Sequence, residues 1–184
     1  MMNDTEVWLE RLNSLYKSQT RKAVNIEGIQ LVHFEILQYL SICNHYSNTA
    51  QALSEYLGQT KGSISQSLKI IENLGHIERR PCTSDKRVVR LYVTKAGLKS
   101  LQRVSKDLAL SASDAPSVVD LIKSSLMRWQ TENHHHGFGQ CKSCKYNIDL
   151  DNEGFRCGLT QDPLSKTDVN KICREHEFLT LSDS

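Results

Sequence analysis

Apolar residues recur at three- and four-residue spacing along most of the first 132 positions, and then the pattern stops. Between Asp4 and Lys17, Val7, Trp8, Leu12 and Leu15 share one side of a predicted helix, with Asp4 and Glu6 supplying acids to its first turn. A second helix is predicted from Gln30 to Cys43. There Leu31, Phe34, Ile36, Leu37 and Leu40 form a broad apolar face suited to a buried central helix. A short helix, Thr49 to Leu57, carries the stripe Ala50, Leu53 and Leu57. Ser47, Asn48 and Thr49 are its N-cap candidates and Gly58 is its stop. Thr60 can cap the next helix, Lys61 to Leu74, whose inner face is Ile64, Leu68 and Ile71 and whose stop is Gly75. Two short helices joined by a tight turn at Gly58–Gln59 make a helix-turn-helix.

Past Gly75 the period falls to two. His76 to Arg80 and Val88 to Val93 are predicted strands, the second alternating Val89, Leu91 and Val93 with Arg90 and Tyr92. The turn-rich, basic run Pro81-Cys82-Thr83-Ser84-Asp85-Lys86-Arg87 joins them, so a hairpin follows the helix-turn-helix as a wing. Thr94 caps a helix from Lys95 to about Leu110, Asp114-Ala115-Pro116 breaks it, and a last helix covers Ser117 to about Glu132. The fold class expected is mainly α with a small β-hairpin wing.

Composition shifts at Asn133. Residues 1–132 read as a winged-helix domain carrying DNA-binding and dimerisation elements, 133–139 as a linker, and 140–184 as a cysteine-rich module. The triple histidine His134 to His136 is taken as linker, because adjacent histidines cannot all face one ion. The module has few aliphatic residues, and a unit of roughly 40 residues usually needs a metal or disulfides to fold.

No apolar run approaches the roughly 18 residues of a membrane helix. Met1 to Glu10 lacks the apolar stretch of a secretory signal, so a cytoplasmic protein without membrane partners is expected. In that compartment six cysteines point to metal or redox chemistry before disulfides. Charge is unevenly spread. From Gln59 to Arg103, ten basic residues against three acidic ones give +7 in a chain whose total is +2, leaving −5 elsewhere. Such a local basic footprint is what binding to a phosphate backbone requires, although a solvated lysine-rich surface would look alike.

Lys61, Ser63, Gln66, Ser67 and Lys69 form the polar outer face of the Lys61 to Leu74 helix, with Thr60 and Ser65 as further DNA-binding candidates. Serine and glutamine can reach base edges there, and lysine can reach phosphates. Arg79, Asp85, Lys86 and Arg87 add a wing whose acid can brace an arginine for the narrow, electronegative minor groove.

In the last segment the spacing is Cys141-x2-Cys144-x12-Cys157-x15-Cys173, followed by His176. A Cys-x2-Cys pair puts two thiolates on one turn. Four cysteines, one tight pair and two isolated, suit a cubane [4Fe–4S] cluster, whose corners each take one thiolate. Zinc is the alternative: Cys141, Cys144, Cys173 and His176 make an acceptable tetrahedral set that leaves Cys157 idle. Cys43, on the apolar second helix, reads as a core thiol. Cys82, near Arg79 and Arg80, is a candidate reactive thiol.

The stretch Thr49 to Gly97 resembles the multiple-antibiotic-resistance-regulator (MarR) family. The carrying residues are Gln51-Ala52-Leu53-Ser54, Ser63-Ile64-Ser65-Gln66-Ser67-Leu68, Leu74-Gly75-His76-Ile77-Glu78-Arg79, Asp85-Lys86-Arg87 and Leu91-Tyr92-Val93-Thr94-Lys95-Ala96-Gly97. The resemblance implies a transcriptional regulator, not an enzyme. It further implies a homodimer whose two recognition helices read a pseudo-palindrome in double-stranded DNA about one turn apart. Trp8, Leu12, Leu121, Leu126 and Trp129 would then be dimer core, with intramolecular core as the other reading. A small-molecule effector is left unspecified. The surroundings of Cys157 and Cys173 loosely resemble the cluster folds of high-potential iron–sulfur proteins and the small subunits of certain glycyl-radical enzymes. A [4Fe–4S] module would be a sensor of redox state, iron, oxygen or nitric oxide, whereas a structural zinc would put sensing elsewhere.

Overall fold

A computed structural model describes residues 3–82, 85–108, 116–133, 137–151 and 154–178. Among the described residues six α-helices and seven short strands follow one another, the α-helices first apart from one hairpin. Helix α1 runs Asp4–Ile26, opened by a capping box in which Asn3 and Glu6 exchange hydrogen bonds. It is longer than the apolar spacing predicts, by two turns and more. Its last turns are held from outside the helix: Thr20, Ala23 and Val24 are buried, the latter two against Phe34 and Val104.

Helix α2 (Leu31–Ile42) is the central one, with Phe34, Ile36, Leu37 and Tyr39 almost wholly buried. Helices α3 (Ala50–Leu57) and α4 (Lys61–Asn73) pack on it. Thr49 and Thr60 cap them, their hydroxyl oxygens accepting from Ala52 N at 3.2 Å and Ser63 N at 3.2 Å. The turn between them works because Gly58 takes a left-handed φ of 61°, where a side chain would be strained.

Strands β1 (Ile77–Pro81) and β2 (Val89–Val93) pair antiparallel, Ile77 opposite Val93. Ile77 and Leu91 turn inward to the core formed by Ile36, Leu37, Leu53, Ile64, Leu68 and Ile71. Helix α5 (Lys95–Asp107) starts under Thr94, which accepts from Gly97 N and donates to Gly75 O. Gly97 must be glycine: a Cβ there would stand 2.2 Å from His76 O. Helix α6 is Pro116–Glu132. The predicted end of α5 near Leu110 and the Asp114 to Ala115 break lie outside the described residues, as do His134 to His136, Thr83 and Ser84.

The C-terminal segment is built from hydrogen-bonded turns and very short strands. β3 (Gly139–Gln140) pairs with β7 (Ile172–Cys173), and β4 (Asn147–Asp149), β5 (Phe155–Cys157) and β6 (Pro163–Leu164) form a three-stranded sheet. It has little apolar interior of its own, as composition predicts, and it docks against the helical body. Phe138, within the predicted linker, is buried in the main core. Its ring lies 5.2 Å from Tyr56 and 6.2 Å from Tyr39. Asn44 N donates to Ile172 O at 2.8 Å, and Arg174 pairs with Glu55 of α3. No helix among the described residues is long and apolar enough to cross a membrane.

Candidate DNA interface and cysteine site

Helix α4 divides as its spacing predicts except at Ser67, which lies three residues after Ile64 and four before Ile71 and is buried with them instead of facing outward. Ile64, Leu68 and Ile71 are fully buried, while Lys61, Ser63, Ser65, Gln66 and Lys69 are exposed along the outer face, with Thr60 exposed at its start. Ser63 Oγ donates to Gln59 Oε1 at 3.2 Å, which fixes the turn beside the helix N-terminus. Arg79 Nε donates to Glu72 Oε2 at 2.8 Å and so ties the base of the wing to α4. Arg80 pairs with Glu78 and lies 4.7 Å over the Tyr92 ring.

At the wing tip Asp85 braces Arg87 as the acid-x-arginine pattern suggests. Oδ1 accepts from Arg87 N at 3.0 Å and Nε at 3.2 Å, and Oδ2 accepts from Nη2 at 3.3 Å. These bonds hold the Asp85 carboxyl below its ordinary range. The Arg87 side chain is nonetheless 91% exposed, so the brace orients a guanidinium without covering it. Lys86 beside it is exposed. The wing pair stands on a different element from α4, and Arg79 links the two.

The cysteines come together from three separate pieces of chain. A 3₁₀ turn, Cys141–Ser143, carries Cys141, and Cys144 N closes it by donating to Cys141 O at 3.0 Å. Cys157 ends β5 and Cys173 ends β7. All four line one cavity of about 210 Å³, with Asn44 and Tyr46 of the α2–α3 loop on its wall. Among the described residues no three His, Cys, Asp or Glu side chains converge closely enough for a single ion. The thiols surround a space and do not meet at a point.

Their electrostatics are those of an electron-rich pocket. Cys141 is pushed up, chiefly because its thiol donates to Cys173 and also by burial. Cys173 is held low chiefly by that same hydrogen bond, against burial, with the nearby Asn44 and Ser47 side chains and the Glu175 backbone adding to the lowering. Burial raises Cys144. His176 stands apart from this cavity. Its Nε2 lies 3.0 Å from Ser143 Oγ, whose hydrogen goes to Gln140 O, and its ring packs on Gly139, where a Cβ would stand 2.8 Å away. The zinc set Cys141, Cys144, Cys173 and His176 is therefore not assembled, and Cys157 takes the place that set left idle.

Two other thiols are elsewhere. Cys43 is buried, donates weakly to Leu40 O at 3.8 Å, and is pushed up to about 12 by burial, the inert core thiol the sequence suggests. Cys82 is half-buried at the wing base, its N–H donating to Val88 O at 2.8 Å. A second cavity, about 350 Å³, lies between α1, α2 and α3 beside Tyr16, Lys17, Phe34 and Glu35.

Asn44, Ser47, Glu55 and Arg174 are residues that the sequence alone does not connect with the cysteine site. An asparagine or serine after a helix reads as ordinary loop chemistry, and no local pattern announces a partner about a hundred residues away.

Helices α2 to α5 with the β1–β2 hairpin define a winged helix-turn-helix. Residues 27–88 match the model of the MarR family. Solved structures of similar fold include AbsC, a MarR family transcriptional regulator from Streptomyces coelicolor. It is 24% identical, with 73% of this chain and 97% of that one covered and a TM-score of 0.56. MarR from E. coli is 18% identical, with 68% and 98% covered and a TM-score of 0.55. MepR from S. aureus, solved as a DNA complex, is 16% identical, with 72% and 99% covered and a TM-score of 0.51. These regulators are matched over nearly their whole length by less than three quarters of this chain, which thus carries more than the shared fold. No curated protein matches the chain.

Proposed function

We propose that this protein is a homodimeric, DNA-binding transcriptional regulator of the MarR type whose C-terminal module binds a [4Fe–4S] cluster as its sensor. The observation that carries the reading is the cavity itself: four thiols from three chain segments ring it, directly against the loop that enters the helix-turn-helix. Support for DNA binding comes from the exposed polar face of α4, the braced Arg87 and the +7 segment that holds both. The MarR-type match over 27–88 and the DNA complex of the similarly folded MepR point the same way.

Lys61, Lys69 and Lys86 would meet phosphates, Ser65 and Gln66 base edges in the major groove, and Arg87 the minor groove. Dimerisation is supported by exposed large apolar residues on α1 and on α6: Trp8 is 71% exposed and Trp129 57% exposed, with Leu12, Leu121 and Leu126 also open to solvent. Exposed apolar surface of that extent marks interaction sites. Cys141, Cys144, Cys157 and Cys173 would each hold one corner of the cluster. Bound there, the cluster would supply a group whose charge and integrity respond to redox state, iron, oxygen or nitric oxide. A surround of thiols spaced about a cavity favours a polynuclear centre over one tetrahedral ion.

The test is operator binding of anaerobically prepared protein before and after iron removal, followed by fluorescence anisotropy on an operator found by selection from random duplexes. Different affinities for the two forms are expected. Equal affinities would sink the sensor role while leaving DNA binding in place.

A further inference from the structure

One loop of seven residues, 43–49, touches both candidate sites. On its module side, Asn44 Nδ2 donates to Cys141 Sγ at 3.8 Å, and Asn44 lines the same cavity as Cys173. Asn44 N donates to Ile172 O, and Ser47 Oγ accepts from Arg174 N at 2.8 Å. On its other side the loop grips the DNA-binding elements. Tyr46 O accepts from Arg90 Nη1 at 2.6 Å, Asn48 O accepts from Leu91 N at 2.9 Å, and Thr49 caps α3. The loop is braced within itself as well: Asn44 Oδ1 accepts from Ser47 N at 3.0 Å, and Tyr39 donates to Ser47 O at 2.9 Å.

Asn44 is 5% exposed and Ser47 fully buried. A buried carboxamide is costly unless both its ends are used. Here the oxygen end serves the loop and the nitrogen end donates to the Cys141 sulfur. An asparagine does both jobs, and neither an acid nor an apolar residue of its size can. Arg90 and Leu91 belong to β2, so any shift of Asn44 is passed through two or three hydrogen bonds to the wing and to the start of α3.

We infer that Asn44 is the positioning residue through which the cysteine site acts on the DNA-binding elements. It donates a hydrogen bond to a sulfur that ligates the cluster and so sets both the reduction potential of the cluster and the placement of the 43–49 loop. This rests on the cluster reading above. Hydrogen bonds to ligating sulfur favour the more electron-rich, reduced cluster and raise its potential. When the cluster is lost, the acceptor that holds Asn44 changes, and the loop is freed to move relative to β2.

Two variants of the full chain separate this from a packing role. Asn44→Ala removes the donor and the internal brace; Asn44→Asp keeps the oxygen for Ser47 N and removes only the donor. The readouts are the midpoint potential of the loaded protein and the ratio of operator affinities with and without the cluster. For Asn44→Ala we expect a more negative potential and a ratio that moves towards one, and for Asn44→Asp the same wherever it loads. Asn44→Ala alone decides if the aspartate repels the cluster. A wild-type potential and a wild-type ratio in Asn44→Ala overturn the inference. So does restoration of both by Asn44→Asp, which would leave Asn44 as a loop brace. Wild-type protein that takes up no iron and sulfide would instead defeat the cluster reading itself, before Asn44 is tested.

Discussion

Arg87 concentrates the residue-scale argument. Its guanidinium is oriented by both oxygens of Asp85, yet 91% of the side chain faces solvent. An exposed ion pair of this kind contributes at most about 1 kcal/mol to stability, so its geometry is explained better by what it presents than by what it stabilises. Arg87→Ala should therefore leave the melting temperature nearly unchanged. It should weaken DNA binding on all sequences alike and lower the salt slope by about one. Gln66→Ala, on α4, should instead change which bases are preferred, by about 1–3 kcal/mol at one position. Anisotropy titrations at several salt concentrations check both, and an unchanged slope in Arg87→Ala would remove the wing from the interface.

Among the elements, the helix-turn-helix and wing were legible because they are local. Thr49, Gly58, Thr60 and Gly75 punctuate the chain within a few residues of what they start or stop, and the switch from period 3.6 to period 2 marks the hairpin. The far end of α1 was not legible, since Ala23 and Val24 are held by Phe34 and Val104 and not by a pattern of their own. Nor was the docking of the module: the cysteine spacing announces a shared centre, but Asn44, Ser47 and Glu55 carry no sign that they face it.

The turn that delivers Cys173 makes an element-scale prediction. Asp168 accepts from Ser165 N and Oγ and from Lys171 Nζ at 2.8 Å, which holds its carboxyl at about 2. A depressed carboxylate stabilises the fold fully above its unfolded value of about 4 and loses that contribution as pH falls towards 2. Protection factors for hydrogen exchange in residues 165–173 should thus fall over that acid window and stay flat above it. Asp168→Asn should flatten the acid dependence, and an identical acid profile in that variant would show that the turn is held by other groups.

At the scale of the molecule, several large apolar residues of α1 and α6 stay exposed among the described residues. Trp8, Leu12, Leu121, Leu126 and Trp129 are all exposed, as a dimer face would be in a lone protomer. Replacing Trp8 and Trp129 together by glutamate should give a monomer by light scattering and abolish tight operator binding, because one recognition helix cannot read two half-sites. A double variant that stays dimeric would move the interface elsewhere. The cysteine module follows α6 in sequence, but the hydrogen bonds that tie it to the helical body run to the α2–α3 loop and to α3, next to the wing.

The central claim is that this winged helix carries a cluster beside its DNA-binding loop. The most direct test is the iron, acid-labile sulfide and zinc content of protein purified without oxygen, with a visible spectrum of the same sample. About four irons and four sulfides per chain, in a brown protein, is the result expected. One zinc and no sulfide in a colourless protein would contradict it.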